Sequence, residues 1–348
     1  MEDNRMNIEE QLFESGLSEE RRQWHREVSS GERLADIYYD TIAKHVFSPD
    51  MFPERMDFIL HRTMRDQSIS VEHSAANETY LQNVYAKRTI SDLPAWLKDH
   101  RLVDIEIQRI AQEYVFDRAE IYASNMLLLQ YSVEEGKPKS SLNYENINNA
   151  IIIVMMVNSP RIFKEFRSDR YIHRITTAIA DSGIEFSMRK HIVFVQLDKA
   201  LELYLNDTYN EDEDVELLKM FSLIADINNE KVIKETRGNE LFDGIREDVY
   251  RFTRSLEVQQ MILAEDLAML DWNSYKEQSK REGRQEGIQE GRQEGIREGR
   301  REGKQEVNDL YRWLLEHGRE QDIKKAISDN EYMEKLTEEY RAYLSSST

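Results

Sequence analysis

All five prolines of this 348-residue chain, Pro49, Pro53, Pro94, Pro138 and Pro160, lie in its first half, and the 188 residues after Pro160 contain none. Proline breaks helices because it lacks the amide donor and clashes with the preceding turn. The second half is therefore expected to be mostly helical. Six of the 13 glycines fall there at strict four-residue spacing, Gly283, Gly287, Gly291, Gly295, Gly299 and Gly303, within KREGRQEGIQEGRQEGIREGRREGKQE. Six glycines cost a helix roughly 6 kcal/mol relative to alanine. Glu282, Glu286, Glu290, Glu294, Glu298 and Glu302 add a like-charge i,i+4 row that opposes it further. The repeat is accordingly read as a flexible linker, with helical self-association along a glycine groove as the alternative. A period of four overshoots the helix by about 40° per step, so such a groove would wind round it.

The charge balance, 47 Lys+Arg against 67 Asp+Glu, leaves a formal −20, and there is no cysteine. Disulfide frameworks, thiol nucleophiles and thiolate metal sites are thereby excluded. The longest apolar run, Ala150 to Val157, is too short for a membrane span of about 20 residues. The acidic start MEDNRMNIEE lacks the layout of a signal peptide, so a soluble, cytoplasmic protein is the expectation. The net charge argues against nucleic-acid binding through bulk electrostatics, which needs Lys and Arg at the contact. A local basic face is still compatible with it.

Residues 7–35 read as charged helix, and a second helical stretch runs from Arg33 to Met64 with a break at Ser48 to Pro53. From Leu102 the period becomes two: Val103, Ile105 and Ile107 take one face, and Asp104, Glu106 and Gln108 the other. A long helix is expected from Arg109 to Tyr131. Ala150 to Val157, rich in Ile and Val, suits a strand buried on both faces. Tyr171 to Ala180 and His191 to Leu197 are further strands, separated by the turn Asp181-Ser182-Gly183. Strand, helix, strand in that order implies a mixed sheet with at least one covered face.

The eight histidines show no metal-ligand spacing, and no glycine-rich loop follows a strand, so zinc and the familiar nucleotide sites drop out. No GxSxG nucleophile elbow is present. A carboxylate constellation remains. Asp92 precedes Glu106 across a strand, the polar turn Lys98-Asp99-His100 and a second strand, with Gln108 at the next same-face position. A hairpin brings two such carboxylates within a few Å, which suits a hard divalent cation that keeps water and phosphate oxygens as its other ligands. By spacing alone, a solvated face of an edge hairpin is the favoured reading. Pro94, two residues after Asp92, requires a strand that is short, bulged or at an edge.

These surroundings resemble the PD-(D/E)xK nuclease superfamily, and within it the Rpn-type recombination-promoting nuclease and transposase family. DTIAKHVFSPDMFPERMDFIL resembles that family's opening helix, with Asp40, Lys44 and Phe47 in its Asp-x-x-x-Lys-x-x-Phe pattern. SDLPAWLKDHRLVDIEIQ is similar to its Asp, turn, Ile-Glu-x-Gln motif. Arg118 and Tyr122 match its Arg-x-x-x-Tyr helix, HIVFVQLDK its later apolar strand, and the glycine–glutamate repeat a frequent tail. The likeness spans about residues 40 to 305.

The resemblance implies an α/β, restriction-endonuclease-like mixed-sheet core flanked by helices, with a largely helical C-terminal third. It divides the chain into a charged extension (1–35), the nuclease-like core (36–200), a helical region (201–280), the repeat (281–306) and a C-terminal helical segment (307–348). It assigns Asp92 and Glu106 to Mg²⁺ or Mn²⁺ and Gln108 to the place of the superfamily's lysine. A neutral amide supplies no charge, so a cation must come from elsewhere. Lys87, Arg88 and Arg109 are the nearby candidates. Arg118 suits a phosphate but equally an acidic neighbour, and Lys44 is read as a solvated or capping residue before a substrate contact. Asp104 is expected to be exposed at the strand's start, with an extra acidic group near the metal as the alternative, and His45 and His191 to be structural. Arg161, Lys164, Arg167, Arg170 and Arg174, interleaved with Phe163, Phe166 and Tyr171, form the best local basic patch for a DNA backbone, with a solvated helix face as the competing reading. The implied function is metal-dependent DNA endonuclease activity in recombination or mobile-element movement in a bacterium. The alternative is an inactive nuclease-fold scaffold that forms a homo-oligomer through its C-terminal helical tail.

Overall fold

The computed structural model describes residues 8–75, 78–79, 89–90, 92–130, 147–166 and 168–346. Four helices open the chain: α1 (Ile8–Glu14), α2 (Glu19–Ser30), α3 (Asp40–Val46) and α4 (Pro53–Met64). Pro53 sits at the first turn of α4, where its missing amide costs nothing. The strands follow as β1 (Val71–Ser74), the two-residue pair β2 (Glu78–Thr79) and β3 (Thr89–Ile90), β4 (Leu93–Leu97) and β5 (Leu102–Gln108). Then come α5 (Val115–Gln130), β6 (Ala150–Met156), α6 (Arg161–Phe166), β7 (Ile172–Ile179) and β8 (Glu185–Gln196).

The main sheet is mixed and six-stranded, ordered β1-β4-β5-β6-β8-β7, with β5, β6 and β8 parallel and the other pairs antiparallel. β6 lies at its centre with every residue buried, as its unbroken apolar run requires. The period of two in β5 separates the two faces. Val103, Ile105 and Ile107 join Ile151, Ile153, Met155, Val193 and Val195 in the larger core, under α3, α4 and the helices that follow β8. On the opposite face Ile152, Val154, Met156, Ile192 and Phe194 pack against Ala111, Val115, Ala119 and Ala123 of α5 and the segment before it. Parallel register aligns Gln108 with Met156 and Met156 with Gln196. The carboxyl ends of the three parallel strands therefore share one edge, where open α/β sheets bind their ligands.

Pro94 does not make β4 an edge strand, because β4 pairs with both β1 and β5. The strand is short instead. β1 ends at Ser74, its register shifts between Val71 and His73, and the Pro94 carbonyl accepts the Ala75 amide at 2.9 Å. The turn between β7 and β8 falls where the sequence places it, with Gly183 at φ 86°.

Two compact units, Met1–Met269 and Leu270–Thr348, divide the chain. The first includes α7 (Leu197–Asn206), α8 (Val215–Ala225), α9 (Glu230–Thr236) and α10 (Glu240–Phe252), which pack on the sheet's larger core through residues such as Tyr204, Phe221, Val232 and Phe242. The glycine repeat is helical rather than a flexible coil: it lies within α11, a helix over Leu256–Glu316. Val258, Ile262 and Leu263 are buried near one end of α11 and Leu310 and Leu314 near the other. Tertiary contacts thus supply nuclei at both ends, and the intervening turns need only propagate. In the second unit, α12 (Glu320–Ser328) and α13 (Asn330–Ser346) close on Leu310 and Leu314 through Ala326 and Leu336. A Cβ added at any of the six repeat glycines meets nothing within 4 Å among the described residues. No helix among the described residues is long and apolar enough to cross a membrane.

Candidate active site

The β4–β5 hairpin sets the carboxylate geometry. Its turn is closed by Asp99, whose carboxylate accepts the Arg101 backbone amide at 3.1 Å and the Arg101 Nε at 2.8 Å, and His100 takes the left-handed conformation at φ 64°. That turn pairs Leu93 with Ile105 and Pro94 with Asp104. Asp92, one residue before β4, therefore comes opposite Glu106. The Asp92 amide donates to Glu106 Oε1 at 3.3 Å, and the Ile107 amide donates to Asp92 Oδ2 at 3.2 Å. Each carboxylate is held by the backbone of the other's strand.

Glu106 is only 2% exposed. Its Oε2 accepts from Arg118 Nη2 of α5 at 2.8 Å and from Gln108 Nε2 at 3.1 Å. Asp104 is fully buried, contrary to the expected exposure, and its Oδ1 accepts the Leu93 amide at 3.2 Å. Alternation correctly assigns Asp104 to the face of Glu106, but whether helices cover that face depends on the rest of the fold. Since β5 is an interior strand with both faces covered, Asp104 has no path to solvent.

Three acids, Asp92, Asp104 and Glu106, gather at this end of the hairpin, and Arg118 forms an ion pair with Glu106. Burial, reinforced by the charges of Asp104 and Asp40, pushes the Asp92 carboxyl up to about 7. Burial and the charges of Asp104 and Asp92 raise Glu106 well above the usual carboxylate range, with Arg118 opposing them. Burial and mutual repulsion therefore disfavour the ionised forms of both carboxyls in the metal-free protein.

The cation candidates are redistributed. Arg109 does not turn to the carboxylates; its Nη1 pairs with Asp266 Oδ1 of α11 at 2.7 Å. Lys87 and Arg88 lie outside the described residues. Arg118, one helix later in sequence, is the guanidinium that reaches Glu106, and it also lies 5.0 Å from the Tyr122 ring centroid. Lys44 pairs with Asp40 across one turn of α3 at 2.8 Å, close enough to Asp92 for that charge to help raise its ammonium pKa against the effect of burial. Asp40, which the sequence marks only as part of the opening-helix pattern, is a further acid whose charge bears on Asp92.

The basic patch between Arg161 and Arg174 does not form a single face. Arg161 pairs with Glu165 and Lys164 with Asp198, while Arg174 donates to the Thr63 carbonyl beside α4. Tyr171 is buried and donates to Glu213. Arg167 lies outside the described residues. A cavity of about 510 Å³ beside α6, lined by Lys164 and Lys199 but also by Asp169, Asp198 and Glu202, is no more basic than acidic. His45 stacks on Phe252 at 3.8 Å, and burial lowers the His191 pKa, both consistent with structural roles.

Among the described residues no group of three or more His, Asp or Glu forms a finished metal-binding cluster. The donor chemistry nonetheless fits a hard divalent cation. Asp92 and Glu106 present adjacent oxygen donors, the ligand type such an ion takes. No match is found among curated proteins or among solved structures. A family model described as PD-(D/E)XK nuclease family transposase matches residues 45–279, which include Asp92, Glu106, Gln108 and Arg118. The match covers well over half of the chain and contains the whole hairpin on which the carboxylates meet, so the chain belongs to the PD-(D/E)XK nuclease family of transposases.

Proposed function

We propose that this protein hydrolyses DNA phosphodiester bonds with Mg²⁺ or Mn²⁺ held by Asp92 and Glu106, in the service of DNA recombination or mobile-element activity. The observation that carries this reading is the mutual backbone clasp of Asp92 and Glu106 at the carboxyl end of β5. When bound, the metal lowers the pKa of a water and stabilises charge on the attacked phosphate. Gln108, at the end of β5, has an amide that can accept from and donate to a water or phosphate oxygen and so orient it. Arg118 takes over the cationic role that Gln108 lacks: its guanidinium already touches Glu106 and suits a phosphate's planar pairs of oxygens.

The test is plasmid cleavage with Mg²⁺ or Mn²⁺ by wild type and Glu106→Gln, across a range of salt. Wild-type nicking that falls at least about 100-fold in the variant supports the reading. Equal nicking by both proteins, or none by either, would remove it. One observation favours a non-catalytic scaffold instead: Glu106 already accepts three hydrogen bonds, from Asp92, Gln108 and Arg118. The absence of nicking in the same experiment selects that reading.

A further inference from the structure

Helix α3 starts without a cap of its own. Its N-cap residue, Tyr39, makes no side-chain capping bond among the described residues, yet the first amides of any helix need acceptors. They find one 225 residues away. Glu265 of α11 accepts the Asp40 amide through Oε2 and the Thr41 amide through Oε1, both at 2.9 Å. The next residue on α11, Asp266, accepts the Tyr39 hydroxyl at 2.9 Å and Arg109 Nη1 at 2.7 Å. Two adjacent acids thus grip residues 39, 40 and 41 on one side and residue 109 on the other.

Both gripped segments carry parts of the site. Asp40 opens α3 and pairs with Lys44, and Arg109 directly follows Gln108 at the end of β5. Asp266 is itself fixed from a third direction, by Arg21 Nε at 2.5 Å and His25 Nε2 at 2.9 Å from α2. Arg21 lies 3.9 Å from the Trp24 ring centroid and Trp24 stacks on Tyr39 at 5.4 Å, so the clasp is backed by packed aromatic rings. Asp266 is 4% exposed, which makes it a poor candidate for direct contact with a substrate and a good one for holding other groups still.

We propose that Glu265 and Asp266 are positioning residues for the carboxylate site, setting the start of α3 against the end of β5 so that Asp92, Glu106 and Gln108 keep one arrangement. This rests on the nuclease reading above and extends it to α11, outside the motif-bearing elements. Glu265 acts through the two α3 amides, and Asp266 through Tyr39 and Arg109. Neither touches the reacting atoms.

The experiment compares full-length wild type, Glu265→Ala, Glu265→Gln and Asp266→Asn in four measurements: thermal unfolding, amide hydrogen exchange at residues 40 and 41, Mn²⁺ binding by electron paramagnetic resonance, and plasmid cleavage. Glu265→Ala should unfold cooperatively while its two α3 amides exchange about fivefold faster, the effect of losing a cap. Its Mn²⁺ affinity should fall at least about threefold, and kcat about tenfold with KM for DNA within about twofold, the pattern of a misplaced catalytic group. Glu265→Gln, which retains an acceptor oxygen, should recover part of each loss. Faster exchange with wild-type Mn²⁺ affinity and kcat would overturn the positioning role and leave the nuclease reading standing. Wild type that neither binds Mn²⁺ nor cuts DNA would remove both. If Glu265→Ala or Asp266→Asn does not fold, Glu265→Gln decides by the same criteria.

Discussion

Two buried acidic centres lie on either side of Arg109, and they have opposite electrostatics. At Asp266, burial alone would raise the carboxyl, but hydrogen bonds from His25 and Arg109 and the charge of Arg21 outweigh it and hold the group at about 2. At Asp92 and Glu106 burial prevails: Asp104 and Asp40 add to it at Asp92, against the Ile107 amide and Arg118, and Asp104 and Asp92 add to it at Glu106, against Arg118. The first centre is a closed ion cluster whose charges are spent on one another. The second holds carboxyls whose ionisation burial and acidic neighbours oppose, at the carboxyl edge of a parallel sheet. Burial alone therefore does not set the protonation of an acid; the described cations and amides that reach it decide the direction of the shift.

Removing the charge should have opposite effects at the two centres. Asp266→Ala leaves Arg21 and Arg109 facing an emptied pocket and should cost about 3–5 kcal/mol in urea unfolding at neutral pH. A loss below about 1 kcal/mol would mean that solvent already screens the cluster. Acid should remove the same contribution more gradually. With the folded pKa near 2 and the unfolded value near 3.8, Asp266 stabilises fully above about pH 4, and roughly 2 kcal/mol is lost as pH falls toward 2. Asp266→Asn should flatten that part of the pH–stability curve.

The other centre carries the reverse sign. The folded Asp92 carboxyl keeps its proton to about pH 7 while the unfolded one releases it near 3.8, so the metal-free protein should lose stability as pH rises between those values. Asp92→Asn should remove that slope, and an unchanged slope would show that the acids are better neutralised than their neighbours suggest. Mn²⁺ affinity should rise over the same window, as the ligand loses its proton. Glu106→Gln, which abolishes a charge with incomplete compensation, should raise metal-free stability at pH 8 by about 1 kcal/mol, even as it removes cleavage. The smallest effect should be that of Arg118→Gln, which leaves Glu106 less compensated and should shift its proton release to still higher pH, visible in carbonyl infrared spectra.

Much of the fold was legible from local pattern. The period of two in Leu102 to Gln108 gave β5 and its two faces, and the continuous apolar run gave a central strand. The positions of Asp92 and Glu106 about a polar turn were enough to place them together once the hairpin closed. The order of motifs led to the family. What failed to show was long-range. Asp104 was expected in solvent because nothing local reports that β5 is covered on both faces. Arg109 was nominated for its nearness to Gln108, yet Asp266 draws it away, while Arg118 reaches Glu106 from the next helix. The glycine repeat was read as a linker from propensity alone, and anchored turns at both ends of α11 overrule that cost.

By itself, then, the sequence determined the alternation, breakers and spacings that make a hairpin carry two carboxylates and make a proline-free half helical, because those depend on residues within a few positions of each other. Only the tertiary structure decided which acids are neutralised. Asp266 meets Arg21 across 245 residues and Glu265 caps α3 across 225, and such pairings arise only when distant elements pack. Electrostatic energy depends on distance in space and on the exclusion of water, and neither is written along the chain.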